Sequence, residues 1–258
     1  MRRLIVNADD LGRSPGVNEG ILRAHEAGIV TSASLLVGFP ASAAGAERAR
    51  NAPTLGVGLH LALTGAPALL ARSEIPGLLD ASGRLPRRPE AGLDGVPEAE
   101  LRAEARAQLR RFRELMGHGP THVDSHHHAH RIPAVERILL ELAREAGCAV
   151  RSTSPEMAAR VRAAGVATPD RFCDVFWGDD AREETLAALL EELPDGVTEL
   201  MCHPAVVDPE LAAGSSYAAP RERELEILTR PRLRTRITQT GVQLVHFGQL
   251  PAPADSPV

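Results

Sequence analysis

Short apolar runs punctuate the chain at residues 4–7, 34–37, 57–61, 122–124, 149–151, 172–176, 199–202 and 243–246, and they read as buried strands. Between them, apolar residues recur at helical spacing over 17–27, 98–116, 134–146, 183–193 and 221–235. About eight strands alternating with helices is the pattern of a parallel α/β protein, and the count favours a (β/α) barrel, irregular or TIM-like, over an open sheet. A single domain is expected over residues 1–250, because such barrels commonly use about 250 residues. Residues 251–258 read as a flexible tail.

Punctuation by glycine and proline refines this picture. Gly28 and Gly147 each follow a helical stretch and precede an apolar run, the position of a left-handed C-cap. Residues 67–97 differ from the rest, since Pro76, Pro86, Pro89 and Pro97 with Gly77, Gly83, Gly92 and Gly95 leave no sustained periodicity. On a barrel, this long loop after the third strand overhangs the C-terminal face. It reads as a loop that covers a substrate, or else as a tolerated surface insertion.

Three sequence signatures carry candidate chemistry. Leu4-Ile5-Val6-Asn7-Ala8-Asp9-Asp10 is an apolar run ending in polar residues, as when a buried strand delivers carboxylates at its tip. Gly56-Val57-Gly58-Leu59-His60 does the same with one imidazole. Thr121 to His130 packs five imidazoles and Asp124 into ten residues, and these groups are ligands for divalent metals. Parallel strands point such tips to one face, where two histidines and an aspartate would form a three-ligand site with open positions. Asp9 and Asp10 point to opposite sides of an extended strand unless the chain turns, which suggests one ligand and one acid/base group. Strand alternation puts Asp124, His126 and His128 on one side, with Ser125 and His127 on the other. His126 is thus the first choice of ligand, while a turn after Ser125 would bring in His127 instead. Asp124 could orient a ligating imidazole. His203, ending the seventh run, joins the same face, whereas His122 and His130 read as structural or exposed and His25 and His118 as surface residues.

Composition narrows the partners. A hydrophobic fraction of 43% supports a sizeable core, while 3% aromatic residues leaves Leu, Val, Ile and Ala to fill it. The 29 basic and 34 acidic residues leave a net charge of −5, which gives no reason to expect nucleic acid or an anionic membrane as partner. The Arg-rich stretch 102–113, interleaved with Glu104 and followed by Glu114, reads as a solvated helix face. Cys148, Cys173 and Cys202 are odd in number and form no CxxC, which argues against a disulfide framework or a thiolate zinc site. With no stretch of membrane-spanning length and no signal-peptide pattern, the expectation is a soluble cytoplasmic protein. Assembly as a homodimer is left open.

The ordered set Ile5 to Gly12, Gly28-Ile29-Val30-Thr31-Ser32, Gly58-Leu59-His60, Thr121 to His128 and Met201-Cys202-His203-Pro204 closely resembles the YdjC-like carbohydrate deacetylases, which include chito-oligosaccharide deacetylase. The resemblance implies a β/α-barrel-like fold, a bound divalent metal and hydrolysis of an acetamido group on an amino sugar. By position it implies that Asp10, His60 and one of His126 or His127 hold the metal and that Asp9 is the base. It suggests Mg²⁺, whereas two imidazoles with one carboxylate suit Zn²⁺ by ligand softness. In the expected reaction the metal activates water and polarises the carbonyl, Asp9 takes a proton and His203 protonates the amine. The rivals are a non-haem iron oxygenase, which uses the same ligand types, and a glycoside hydrolase, for which Asp124 would have to partner Asp9 or Asp10. A non-catalytic sugar- or metal-binding protein is the reading from another class.

Overall fold

The computed structural model describes residues 1–251 and contains one mixed α/β domain built on a curled, all-parallel half-barrel sheet. The strands are β1 (Arg2–Leu11), β2 (Ser32–Leu35), β3 (Gly56–Leu61), β4 (His122–Ser125), β5 (Ala149–Val150), β6 (Arg171–Cys173), β7 (Gly196–Cys202) and β8 (Gln243–Leu244). Each expected apolar run supplies one of them. Seven follow the order β5-β4-β3-β2-β1-β7-β6. The short β8 does not lie between β7 and β1 as it would in a regular eight-stranded barrel. It pairs instead with Arg3 and Leu4 of β1, while β7 runs along β1 from Arg2 to Ala8.

The helices are α1 (Pro15–Glu26), α2 (Ser42–Arg50), α3 (Glu98–Met116), α4 (Pro133–Ala146), α5 (Pro155–Ala163), α6 (Glu183–Glu192), α7 (Pro209–Gly214), α8 (Ala219–Leu228) and α9 (Pro231–Thr240). Ser14, Ser154 and Asp208 cap α1, α5 and α7 by accepting from Val17, Met157 and Leu211 backbone N–H groups. The single helix expected over 221–235 is two, because Pro231 lacks the N–H that a continuous helix needs and opens α9 instead. Gly147 takes the expected left-handed conformation (φ 64°). Gly28 does not. Its role is close approach, since a Cβ there would sit 2.4 Å from the Leu228 carbonyl oxygen.

Side-chain alternation divides the interior into two environments. Leu4, Val6 and Ala8 of β1 join the large core between sheet and helices, while Ile5 belongs to a small apolar plug with Ala149, Val197, Val245 and Phe247. Asn7 and Asp9 continue the plug's side of β1 and meet Ser34, His122, Asp124, Arg151 and Glu199 in a buried polar layer. Gly58 makes room for this layer, because a Cβ there would lie 2.3 Å from the His122 ring.

Residues 67–97 form a loop whose own apolar residues Ile75, Leu78, Leu85 and Leu93 are buried. It is tied to α3 by two carboxylates. Glu104 accepts from the Leu69 and Leu70 N–H groups, and Glu100 accepts from those of Gly77 and Leu78. Glu104 is fully buried, so the Arg-rich stretch is a solvated face only in part; Arg102, Arg111 and Arg113 do pair with Glu141, Glu114 and Glu145 toward solvent. The tail expected over 251–258 lies outside the described residues from 252 onward. No helix among the described residues is long and apolar enough to cross a membrane, and all three cysteines are free.

Candidate active site

Because the sheet is parallel, the tips of β1, β3, β4, β5 and β7 open on one end of the domain, and Asp9, Asp10, His60, His126 and His203 line a cavity of about 1340 Å³ there. The loop 67–97 contributes Pro67, Arg84, Leu85 and Arg88 to its wall.

Asp10 has φ 75°, a left-handed conformation that costs a non-glycine residue about 1–2 kcal/mol, and the β1–β2 register shifts between Ala8 and Leu11. The chain therefore does turn at the strand tip. Asp9 and Asp10 do not diverge as a straight strand would make them, and both come within range of His60. The β4 tip also departs from simple alternation. After Ser125 the chain enters a 3-10 segment (His126–Arg131) in which His127 and His128 have φ 54° and 51°. That turn swings His126 toward Asp10 while His127 bonds Thr64 Oγ1 at 3.0 Å, outside the cluster of ligand-type groups. His128 lines the cavity wall, and His130 is buried against Ser125 Oγ at 2.6 Å.

Asp10, His60 and His126 each offer one ligand atom, all within 4.8 Å of one another. Asp10 Oδ1 lies 3.1 Å from His126 Nδ1 and 3.5 Å from His60 Nε2, yet it makes no hydrogen bond of acceptable geometry. His60 Nε2 and His126 Nδ1 share one long hydrogen bond of 3.3 Å beside the unpartnered Asp10 Oδ1, and three donor atoms so converged are what a cation would reconcile, so the donor set fits a divalent metal. His60 and Asp124 are register partners on β3 and β4, and His60 Nδ1 bonds Asp124 Oδ1 at 2.8 Å. This leaves Nε2 directed at the cluster, the carboxylate–imidazole support that metal-binding histidines use.

Electrostatics set the protonation states. Burial alone would lower His60, but Asp124, Asp9 and Asp10 together raise it to about 9, so a metal must displace a proton there. His126 is held below the ordinary histidine value by burial despite Asp10 and is neutral, as a ligand must be. Burial would raise Asp10, yet Arg221, whose Nη2 lies 2.5 Å from Asp10 Oδ2, together with the imidazoles holds it well below the usual carboxylate range. Asp9 is likewise lowered, since Arg151 more than offsets burial. Arg151 is fully buried and binds both Asp9 oxygens at 2.7 Å, Glu199 at 2.7 Å and Asp124 at 2.9 Å. Glu199 titrates near 7, because burial outweighs its share of that guanidinium.

His203 lines the cavity from the β7 tip, and its Nδ1 has no hydrogen-bond partner among the described residues. Burial and Arg221 push it down to about 3, so the imidazole is neutral rather than charged before substrate adds its own charge. His122 is structural: it stacks on Phe247 with centroids 3.8 Å apart and meets Ser34 Oγ at 3.1 Å. His25 is half-buried against Val30 O, and His118 is exposed.

Sequence reasoning missed Arg151, Glu199, Arg221 and Tyr217. Arg151 carried a readable signal, a charge ending an apolar run just as the aspartates do at β1. Arg221, at the start of a polar helix, carried none.

The chain is thus a parallel β/α half-barrel protein that carries a carboxylate, two imidazoles and flanking arginines at its strand tips. The model of the YdjC-like protein family matches residues 3–239, and the chain belongs to that family. A carbohydrate deacetylase of Geobacillus stearothermophilus is 41% identical over 247 residues, covering 95% of this chain and 97% of the relative. A chitooligosaccharide deacetylase of Klebsiella pneumoniae subsp. pneumoniae is 38% identical over 256 residues, with 94% and 97% covered. Among solved structures, a family 4 carbohydrate esterase from Streptomyces lividans in complex with acetate superposes with a TM-score of 0.51 at 10% identity, covering 100% of this chain and 98% of that one. That likeness is of fold alone.

Proposed function

We propose that the chain is a metal-dependent carbohydrate deacetylase that hydrolyses the acetamido group of N-acetylated amino sugars. The observation that carries this reading is the convergence of Asp10, His60 and His126, with His60 backed by Asp124, inside a cavity large enough for a sugar. The names of the relatives, carbohydrate deacetylase and chitooligosaccharide deacetylase, support the acetylated-sugar substrate.

Asp10, His60 and His126 would hold one divalent ion, which would lower the pKa of a water and polarise the acetyl carbonyl. Two imidazoles to one carboxylate favour Zn²⁺ over Mg²⁺, which prefers oxygen donors. Asp9, ionised and fixed by Arg151, takes the proton that water loses as it attacks. His203 takes one proton from solvent as negative charge builds on the substrate and delivers it to the nitrogen as the C–N bond breaks; Asp9 then returns the water proton to solvent, and the acetic acid formed leaves as acetate beside the free amine. Arg221 keeps Asp10 ionised.

The structure weighs against the glycoside hydrolase reading, because Asp124 is fully buried with both oxygens engaged by His60, Ser34 and Arg151. The oxygenase reading loses its usual all-β setting. The test is acetate release from an N-acetylated chito-oligosaccharide, abolished by a chelator and restored by metal; a protein that binds the sugar or metal without releasing acetate would be a binding protein instead.

A further inference from the structure

The chain has a single tryptophan and a single tyrosine, and the fold stacks them on each other in the wall of the cavity. Trp177, after β6, and Tyr217, between α7 and α8, lie parallel to within 5° with ring centroids 3.6 Å apart. Tyr217 cannot drift, since its hydroxyl accepts from the Gly178 N–H and donates to Glu224 Oε1, both at 2.7 Å. Glu224 also accepts from the His203 backbone N–H, which ties the pair in register with the candidate proton donor. The edge of Trp177 stands 4.8 Å, centroid to centroid, from His203.

Although backed on one side, Trp177 remains 44% exposed. A large aromatic surface left in water in the wall of a cavity has no role in the core. We propose that Trp177, braced by Tyr217, is the platform for a second sugar ring, adjacent to the ring whose acetamido group is cut. This rests on the deacetylase reading and adds a determinant of substrate length to it. A pyranose has a flat face of C–H groups and a rim of hydroxyls. Trp177 supplies the apolar surface, while Asp174 and Ser216 line the same cavity and can take up the rim.

Because Trp177 is the sole tryptophan, its emission reports on the platform directly. The intact metal-loaded protein is titrated with N-acetylglucosamine and with N,N′-diacetylchitobiose. The disaccharide is expected to alter the emission at concentrations where the monosaccharide does not. In Trp177→Ala the ratio of kcat/KM for disaccharide to that for monosaccharide is expected to fall about tenfold, carried in KM. Trp177→Phe should restore part of it. A purely structural role through His203 would instead lower kcat for both sugars alike. An unchanged ratio, or saturation by disaccharide with no change in emission, overturns the platform. If neither sugar releases acetate, the deacetylase reading fails, and the emission titration still decides the platform on its own.

Discussion

Replacing Arg151 by Met tests how the polar interior is held. One guanidinium serves Asp9, Asp124 and Glu199, all buried and all within 2.9 Å of it. Removing one partner of a buried ion pair costs about 3–5 kcal/mol, because the remaining charge stays desolvated. Glu199 titrates near 7 and can take up a proton, so about 3–5 kcal/mol is the expected loss at pH 7 rather than a multiple of it. The sign with pH follows from the same contacts. Arg151 holds Asp9 and Asp124 below the ordinary aspartate value of 3.8, so their stabilisation is complete above that value and is lost as pH falls through their folded values. Without Arg151, burial raises Asp9, whose main opposing charge is gone, while Asp124 keeps only the smaller support of His60 and His122 and rises as well. The mutant then gains stability as pH falls from 7 toward 5, where these groups protonate, and the difference from wild type shrinks. Urea unfolding of both proteins in chelator, at pH 7 and pH 5, measures this directly. A loss under about 1 kcal/mol, or an equal loss at both pH values, would refute the reasoning.

Asp9→Asn should retain metal and lose roughly 10²–10⁴ in kcat, the worth of a general base; near-normal turnover would exclude that role. Burial and Arg221 push His203 down to about 3, so it must gain its proton in the complex with substrate; it should therefore shape the upper limb of the kcat profile and leave no neutral limb in kcat/KM. His203→Ala should keep metal and lose that limb, and a limb that persists assigns the proton to another donor.

The eight strands could be read from apolar runs because a sheet covered by helices needs continuous apolar segments, and α3 was read to its last residue. The helices α2 and α5 are not legible in the sequence because they are short and Ala-rich, with a weak apolar stripe. Candidate ligands were visible because polar residues stood at the ends of apolar runs. Their geometry was not visible, since it depends on left-handed residues at Asp10, His127 and His128 that sequence periodicity does not encode. Likewise, the choice of His126 over His127 in the cluster follows from the 3-10 turn, not from strand alternation. The cations that neutralise the site come from distant positions, Arg151 and Arg221, and are paired with the aspartates only by the fold.

The most direct test of the central claim is metal content measured together with acetate release, in the wild type and in His60→Ala. The account predicts one divalent ion per chain in the wild type, acetate release that follows that occupancy through chelation and metal return, and loss of most of both in His60→Ala. Full metal occupancy in His60→Ala, or undiminished acetate release from metal-free protein, would contradict it.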